Sequence, residues 1–313
     1  MENSINLSVV VPVYNEEESV LPLYKAVLKS VKSIGTSYEL VLVDDGSSDN
    51  TYLECKKISE TDENVKVIKL KANSGQTPAL HAGLQYATGN VVITMDGDLQ
   101  NDPDDFGKFI EKINEGYDIV LGWREKRQDK VLSKKIPSKI ANWLIRKLTG
   151  LTIKDNGCAI RAYKGHLVKR FPMYSEMHRL MPVMTALAGA KYTQISVKHH
   201  SRQFGSSKYG LSRIYKVLMD MVSLKIVLTN FKYPLYGFGF GAAVFFLLSM
   251  GSMLLTLLYS INNPQASIVV MMGVTTLLGS LSLFLIFMGI ISLLVYKTGD
   301  LKVESLLNFH DKA

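Results

Sequence analysis

The 313 residues contain only two cysteines, Cys55 and Cys158. Their spacing matches no metal-binding pattern, so they read as packing residues of a reducing compartment rather than as a zinc module. The glycine signatures of phosphate loops are also missing. There is no G-x-x-x-x-G-K-[ST] and no G-x-G-x-x-G, which takes away the main support for ATPase and dinucleotide readings. No signal peptide is expected at the N-terminus, because the apolar run Val9–Val13 is short and lacks a basic flank. Neither an internal repeat nor a low-complexity segment is visible. The most informative absence is of charge: residues 235–259 and 266–295 contain no Asp, Glu, Lys or Arg.

Each uncharged stretch exceeds the roughly 20 apolar residues that cross a bilayer. The linker Ser260–Gln265 (S-I-N-N-P-Q) is polar and carries Pro264, which predicts a transmembrane hairpin. Lys225 and Lys232 precede the first span, and Lys297 and Lys302 follow the second. The positive-inside rule then puts both flanks and both termini in the cytoplasm, as in a two-span protein of the inner (cytoplasmic) membrane. Tyr233, Tyr236, Tyr259 and Tyr296 near the span ends read as interfacial anchors. Charge is otherwise plentiful. With 36 Lys and Arg against 28 Asp and Glu, the net charge is +8, which favours an anionic partner. Nine basic residues fall between Arg124 and Lys147, against only Glu125 and Asp129. A solvated helical face and an anionic lipid or substrate surface fit this run equally well. Residues 211–231 place Ile214, Val217, Leu218, Met221 and Val222 on one helical side. That pattern reads as an amphipathic interfacial helix before the first span, with packing on the domain or a neighbouring subunit as the alternative.

The first half alternates strand and helix signals. Apolar β-branched runs at Leu7–Val13, Leu40–Val43, Val65–Leu70, Val91–Met95 and Asp118–Gly122 alternate with helical patterns at Glu17–Ser33, Thr77–Ala87 and Phe106–Gly116. Another helix follows Asp44-Asp45-Gly46, with Ser48 or Asp49 as its cap. This is the pattern of an α/β chain with a doubly wound, mostly parallel sheet. Each predicted strand ends in polar chemistry: Tyr14-Asn15-Glu16, Asp44-Asp45-Gly46-Ser47, Asn73-Ser74-Gly75-Gln76, Asp96-Gly97-Asp98-Leu99-Gln100 and Trp123-Arg124. One such end is an ordinary turn. Five on one edge form a ligand site, because open α/β sheets bind ligands beyond the carboxyl ends of their strands. Asp96 and Asp98 supply the hard oxygens that hold a divalent cation together with substrate phosphate.

The segments P-V-Y-N-E-E, V-D-D-G-S-S-D-N-T, N-S-G-Q and M-D-G-D-L-Q-N-D-P, in this order, resemble the family 2 glycosyltransferases of GT-A fold over residues 7–230. The motifs D-N-G-C-A-I-R-A-Y (155–163), E-M-H-R-L-M-P (176–182) and R-Q-F-G-S-S-K-Y (202–209), followed by two spans, are similar to the polyprenyl-phosphate branch. That branch includes dolichyl-phosphate mannose synthase, the bactoprenol glucosyltransferases and the undecaprenyl-phosphate 4-deoxy-4-formamido-arabinose transferases. The Q-x-x-R-W motif of processive synthases is absent, which argues against a polymerase. The resemblance implies a GT-A domain over 1–210, juxtamembrane amphipathic helices over 211–232, two spans within 233–297 and a cytoplasmic tail over 298–313.

The resemblance also implies residue roles. Pro12, Tyr14 and Glu16 line base and ribose, Asp45 contacts the nucleoside, and Asp96 and Asp98 act with Mg²⁺ or Mn²⁺ on the diphosphate. Gly97 stands where many members carry Ala, a change expected to be harmless. Gln100 supports the sugar side and Arg124 faces phosphate. Asp155 corresponds to the proposed base, with Asp98 as the second catalytic acid. Arg202, Ser206 and Lys208, with Glu176 and Arg179, belong to the phosphate and acceptor side. His178 has either a site role or a helix-supporting one, and His199-His200 reads as structural or solvent-facing rather than as a metal pair, because neighbours on a strand point to opposite faces. The implied reaction is inverting transfer from a nucleotide sugar, UDP-linked rather than GDP-linked, to polyprenyl phosphate, for cell-envelope glycan or lipid modification. The implied partners are the bilayer and further copies of the chain (a tetramer), with no nucleic acid. Two alternatives remain: a glycerolipid acceptor, and a non-catalytic membrane-anchored sugar-nucleotide binder. A lipid phosphate has a second pKa near ~6 and is largely anionic at neutral pH. Asp155 is therefore expected to orient the acceptor or sugar more than to remove a proton.

Overall fold

The computed structural model describes residues 5–125, 146, 151–169, 177–187, 189–201, 204 and 234–298. Of the residues singled out above, Glu176, Arg202, Ser206, Lys208, Lys232, Tyr233 and Lys302 lie outside the described residues, as do the amphipathic segment 211–231 and most of the basic run. The chain forms two compact units, residues 1–221 and 222–313.

The first unit is built on β1 (Leu7–Val13), β2 (Tyr38–Asp44), β3 (Val65–Lys69), β4 (Val91–Thr94), β5 (Ile119–Trp123), β6 (Arg161–Lys164) and β7 (Tyr192–Ser196). These make one seven-stranded sheet in the order β3-β2-β1-β4-β6-β5-β7. All neighbours pair in parallel except β6, which runs antiparallel to both β4 and β5. The expected mostly parallel sheet is thus present, with two strands the alternation did not reveal. β1 and β2 are buried almost throughout, as strands covered by helices on both faces must be. β7, of sequence Y-T-Q-I-S, lies at the sheet's edge and is only partly buried, so its polar composition hid it.

The helices are α1 (Glu17–Ile34), α2 (Thr51–Thr61), α3 (Gln76–Tyr86) and α4 (Phe106–Asn114), then the short α5 (Gly165–Val168) and α6 (Met181–Leu187). α1 presents Val20, Leu23, Val27 and Val31 to the core and α4 presents Phe106, Phe109 and Ile113. These spacings put the apolar residues on one helical stripe. α2 starts one residue after Asn50, and the Asp49 carboxylate accepts the backbone N–H of Thr51 at 2.9 Å. Both cysteines are buried and free, and burial pushes each thiol up to about 12. They are protonated packing groups at neutral pH.

The second unit is a hairpin of α7 (Pro234–Asn262) and α8 (Val269–Thr298), long and apolar enough to cross a bilayer. The expected linker is displaced toward the C-terminus: helix continues through Ser260–Asn262, and Pro264 lies in the turn before α8. Ser249 Oγ donates to the Thr275 carbonyl at 2.9 Å and Ser282 Oγ to the Ala242 carbonyl at 2.8 Å. Small polar residues let such helices approach and bond across their contact. The remaining flanks expose large apolar side chains, Phe240 and Leu277 among them.

Candidate active site

The carboxyl ends of β1, β2 and β4, with the loop into α3, enclose a cavity of about 280 Å³. Its walls include Pro12, Tyr14, Glu16, Asp45, Asp96, Gly97 and Asp98, and also Asn73, Gly75 and Gln76. The structure therefore brings together seven of the residues singled out from sequence. Asn73, Gly75 and Gln76 come from the N-S-G-Q strand end, which the sequence placed on the ligand edge without individual roles, and Val13 and Ala79 complete the lining. The signal of that segment was its position at a strand end.

Each loop holds its neighbour. Asn15 donates its backbone N–H to the Ser47 hydroxyl oxygen at 2.9 Å, while its side-chain oxygen accepts from the Ser48 N–H at 2.9 Å. The Thr51 hydroxyl accepts from the Glu16 N–H at 2.8 Å. The Asp45 carboxylate accepts the N–H groups of Ser74 and Gly75 at 2.8 and 2.9 Å, so its first task is to shape the loop that opens α3. Gly46 makes this approach possible. Its φ is +67°, and a Cβ there would lie 2.5 Å from the Ala72 carbonyl carbon. Burial pushes the Asp45 carboxyl above its ordinary value, the two N–H bonds oppose this, and neighbouring Asp44 adds to it.

The two acids of Asp96-Gly97-Asp98 are held differently. Gln76 Nε2 donates to Asp96 Oδ1 at 2.7 Å, and Asp98 Oδ1 accepts the Gln100 N–H at 3.1 Å in a tight turn. Within that turn Leu99 has φ +61°, and Asn15, after β1, has φ +48°. Among the described residues these are the non-glycine positions with left-handed backbone, a strained state that surrounding bonds must enforce. Gly97 is less replaceable than its sequence context implied. A Cβ there would lie 2.8 Å from Val13 Cγ1 and 3.4 Å from the Pro12 carbonyl oxygen.

Two expected contacts take another form. Arg124 donates from Nε and Nη2 to the two Asp155 oxygens at 2.7 and 2.9 Å, and its backbone N–H points to the same carboxylate at 3.3 Å. Asp155 is buried and the Arg124 side chain nearly so. The two residues expected to face phosphate and to act as base are thus one bidentate ion pair, which a phosphate must share or displace. Gln100 is turned toward the segment before Arg202: its carbonyl accepts the His200 N–H at 2.9 Å, and Asn101 bridges to His199. His200 lies 3.2 Å from Asp102 Oδ2, and Lys198 lies 3.5 Å from the same oxygen. His200 is thus half exposed while its ring reaches Asp102. His178 is buried, with Nδ1 2.6 Å from the Thr77 hydroxyl, and Arg179 beside it is half-buried.

A metal fits this donor set. No cluster of three or more ligating side chains exists among the described residues, yet Asp96 and Asp98 line one cavity. Two carboxylates leave most positions of a six-coordinate Mg²⁺ or Mn²⁺ for phosphate oxygens and water.

Comparison with known proteins is consistent with this geometry. The model of the family "Glycosyl transferase family 2" matches residues 8–175. The chain is 36% identical over 305 residues to a dodecaprenyl-phosphate galacturonate synthase of Rhizobium johnstonii, covering 94% of this chain and 89% of that one. It is 39% identical over 219 residues to an undecaprenyl-phosphate 4-deoxy-4-formamido-L-arabinose transferase of Pectobacterium carotovorum, covering 70% and 67%. Among solved structures, S. aureus TarS 1-349 with UDP-GlcNAc superposes at a TM-score of 0.51 with 21% identity, over 71% of this chain and 67% of that one. Glucosyl-3-phosphoglycerate synthase of Mycobacterium tuberculosis, in complex with Mn²⁺, UDP and glucosyl-3-phosphoglycerate, gives 0.54 with 16% identity, over 71% and 79%. At these identities the two structures share the fold.

Proposed function

This chain belongs to glycosyl transferase family 2 and is a transferase, and from that premise we propose that it moves a sugar, with inversion, from a UDP-sugar to a polyprenyl phosphate at the cytoplasmic membrane face. The observation that carries the proposal is the single cavity in which Asp96 and Asp98 meet Pro12, Tyr14, Glu16 and the Asp45-held loop. Two supports narrow the partners. The relatives named above are polyprenyl-phosphate sugar transferases, and the hairpin offers a bilayer anchor. The mycobacterial protein of the same fold holds Mn²⁺ with UDP.

In this reading Pro12, Tyr14 and Glu16 receive the nucleoside. Asp96 and Asp98 would hold Mg²⁺ or Mn²⁺, whose charge offsets that developing on the leaving diphosphate. Gln76 keeps Asp96 in place, and the Gln100 N–H does the same for Asp98. Attack by an anionic lipid-phosphate oxygen from the face opposite the leaving group inverts the anomeric centre. That oxygen needs little deprotonation, and Asp155, already engaged by Arg124, orients the acceptor or sugar. Arg202, Ser206 and Lys208 are proposed to bind phosphate, with Glu176 and Arg179 on the acceptor side.

The test is a donor panel of UDP- and GDP-sugars with purified protein, Mn²⁺ and undecaprenyl phosphate, reading released nucleotide. Turnover that needs both metal and lipid phosphate is the expected result. Transfer to diacylglycerol instead would move the acceptor to a glycerolipid. Folded protein that releases no nucleotide from any donor would leave a binding role.

A further inference from the structure

Because β6 runs against β4 and β5, its first residue, Arg161, lies at the strand edge that carries Asp96 and Arg124. Its side chain is buried, 5% exposed. The guanidinium fans onto three backbone carbonyls: Nε to Cys158 at 2.9 Å, Nη2 to Asn156 at 2.6 Å and Nη1 to His178 at 2.6 Å. Desolvating a cation is costly, and bonding to neutral carbonyls returns less than pairing with a carboxylate does. An apolar residue would fill the same space more cheaply. What it could not do is hold three points of the backbone in one rigid, planar fork.

Two of those points belong to the loop that starts at Asp155, where the Cys158 N–H also bonds the Asp155 carbonyl at 3.2 Å. The third is His178, which lies beyond the described part of that connection. The His178 ring continues the path, with Nδ1 2.6 Å from the Thr77 hydroxyl, both residues buried. Thr77 is the neighbour of Gln76 in the first turn of α3, and Gln76 donates to Asp96. Polar contacts, buried from the Asp155 loop to Thr77 and half-buried between Gln76 and Asp96, with the Gln76–Thr77 peptide link between them, therefore join the loop of Asp155 to the carboxylate of Asp96.

We propose that Arg161, His178 and Thr77 are positioning residues that set the Asp155 loop against Asp96, and so hold the acceptor side in register with the metal side of the site. The proposal rests on the glycosyl-transfer reading for its kinetic consequence but not for its structural one. None of the three lines the nucleotide cavity, so their loss should leave donor binding in place. A displaced reacting group can lower rate by up to ~10²-fold.

The experiment uses the full chain in detergent. Thr77→Val keeps shape and removes the hydroxyl, whereas Thr77→Ser keeps it. His178→Leu removes the ring nitrogen, whereas His178→Asn places a polar atom near the Nδ1 position. Arg161→Lys keeps the charge and loses the fork. Thr77→Val and His178→Leu are each expected to lower kcat about 10-fold with the donor KM within about 2-fold, and the double variant should match either single change, as residues of one unit do. Thr77→Ser and His178→Asn should stay within about 3-fold of the parent chain, and Arg161→Lys should lose about 10²-fold. Hydrogen exchange supplies the readout that needs no substrate: amides 155–158 should lose protection in the impaired variants while those of β1 and β2 keep theirs. Equal protection throughout with unchanged kcat would overturn the proposal, as would additive losses that track the folded fraction. If the parent chain releases no nucleotide from any donor, the functional reading fails, and exchange at 155–158 still decides the positioning role.

Discussion

The two edges of the central sheet use the same side-chain chemistry to opposite ends. At the amino edge, Glu39 is buried and saturated, accepting from the Ser8 hydroxyl, the Thr88 N–H and hydroxyl, and Lys66 Nζ. Asp62 takes the hydroxyls of Tyr24 and Tyr38 and two donors from Asn64. Asp118 takes Lys164 Nζ and the Lys191 N–H, each at 2.8 Å. Burial pushes against ionisation at all three, yet their partners outweigh it and hold each carboxyl below its ordinary value. At the carboxyl edge, burial wins at Asp45, and Asp96 and Asp98 line a cavity instead of a closed bond network. The acids of the amino edge are closed into the fold, whereas at the carboxyl edge Asp45, Asp96 and Asp98 line a cavity beside paired Asp102 and Asp155.

The contrast can be broken most forcefully at Asp98. Asp98→Asn should lower nucleotide release by about 10³-fold, on the scale of losing one electrostatic group in a preorganised site. The thermal midpoint should stay within a few degrees of the parent chain. Arg124→Met tests the buried pair, because it leaves Asp155 without its guanidinium. A loss of ~3–5 kcal/mol in unfolding free energy is expected, and Arg124→Met with Asp155→Leu should recover part of it. Glu39→Gln is the amino-edge counterpart. It replaces an acceptor facing Thr88 and Lys66 with an amide, at a cost of ~2 kcal/mol, while kcat and KM remain unchanged.

Acid titration sharpens the comparison through its sign. Glu39, Asp62 and Asp118 have depressed values in the fold, so their contribution is present above the unfolded carboxylate value of roughly 4 and vanishes as pH falls through the folded values. Asp45 is raised, so its contribution is present below the unfolded value and is lost as pH rises through the folded one. Thermal midpoints measured from pH 3 to 7, on Glu39→Gln and Asp45→Asn, should therefore lose opposite components of the pH slope. The smallest effect is expected at Gly97→Ala, whose methyl meets Val13. A cost of ~1 kcal/mol should disappear when Val13→Ala makes room.

Much of the frame was readable before folding was known. β1 is found over the residues expected, Leu7–Val13, because a strand buried on both faces is apolar at nearly every position, and its one polar residue, Ser8, is bonded to Glu39. The two long helices followed from the absence of charge in 235–259 and 266–295, a property of composition alone. The strand-end motifs also located Asp96 and Asp98, since parallel topology brings every strand's carboxyl end to one edge. β6 was not readable: R-A-Y-K has no strand pattern of its own and is strand only because β4 and β5 flank it.

What tertiary structure alone decided is which acid meets which partner. Arg124 and Asp155 lie 31 residues apart, Asp45 and the N–H groups it accepts lie 29 and 30 apart, and Thr77 and His178 lie 101 apart. Local sequence sets hydrophobic periodicity and turn chemistry, because these act over a few residues. Pairing between charges separated by whole strands and helices depends on the sheet order, and the antiparallel insertion of β6 carries Arg161 and the Asp155 loop to the edge where Asp96 and Asp98 line the cavity.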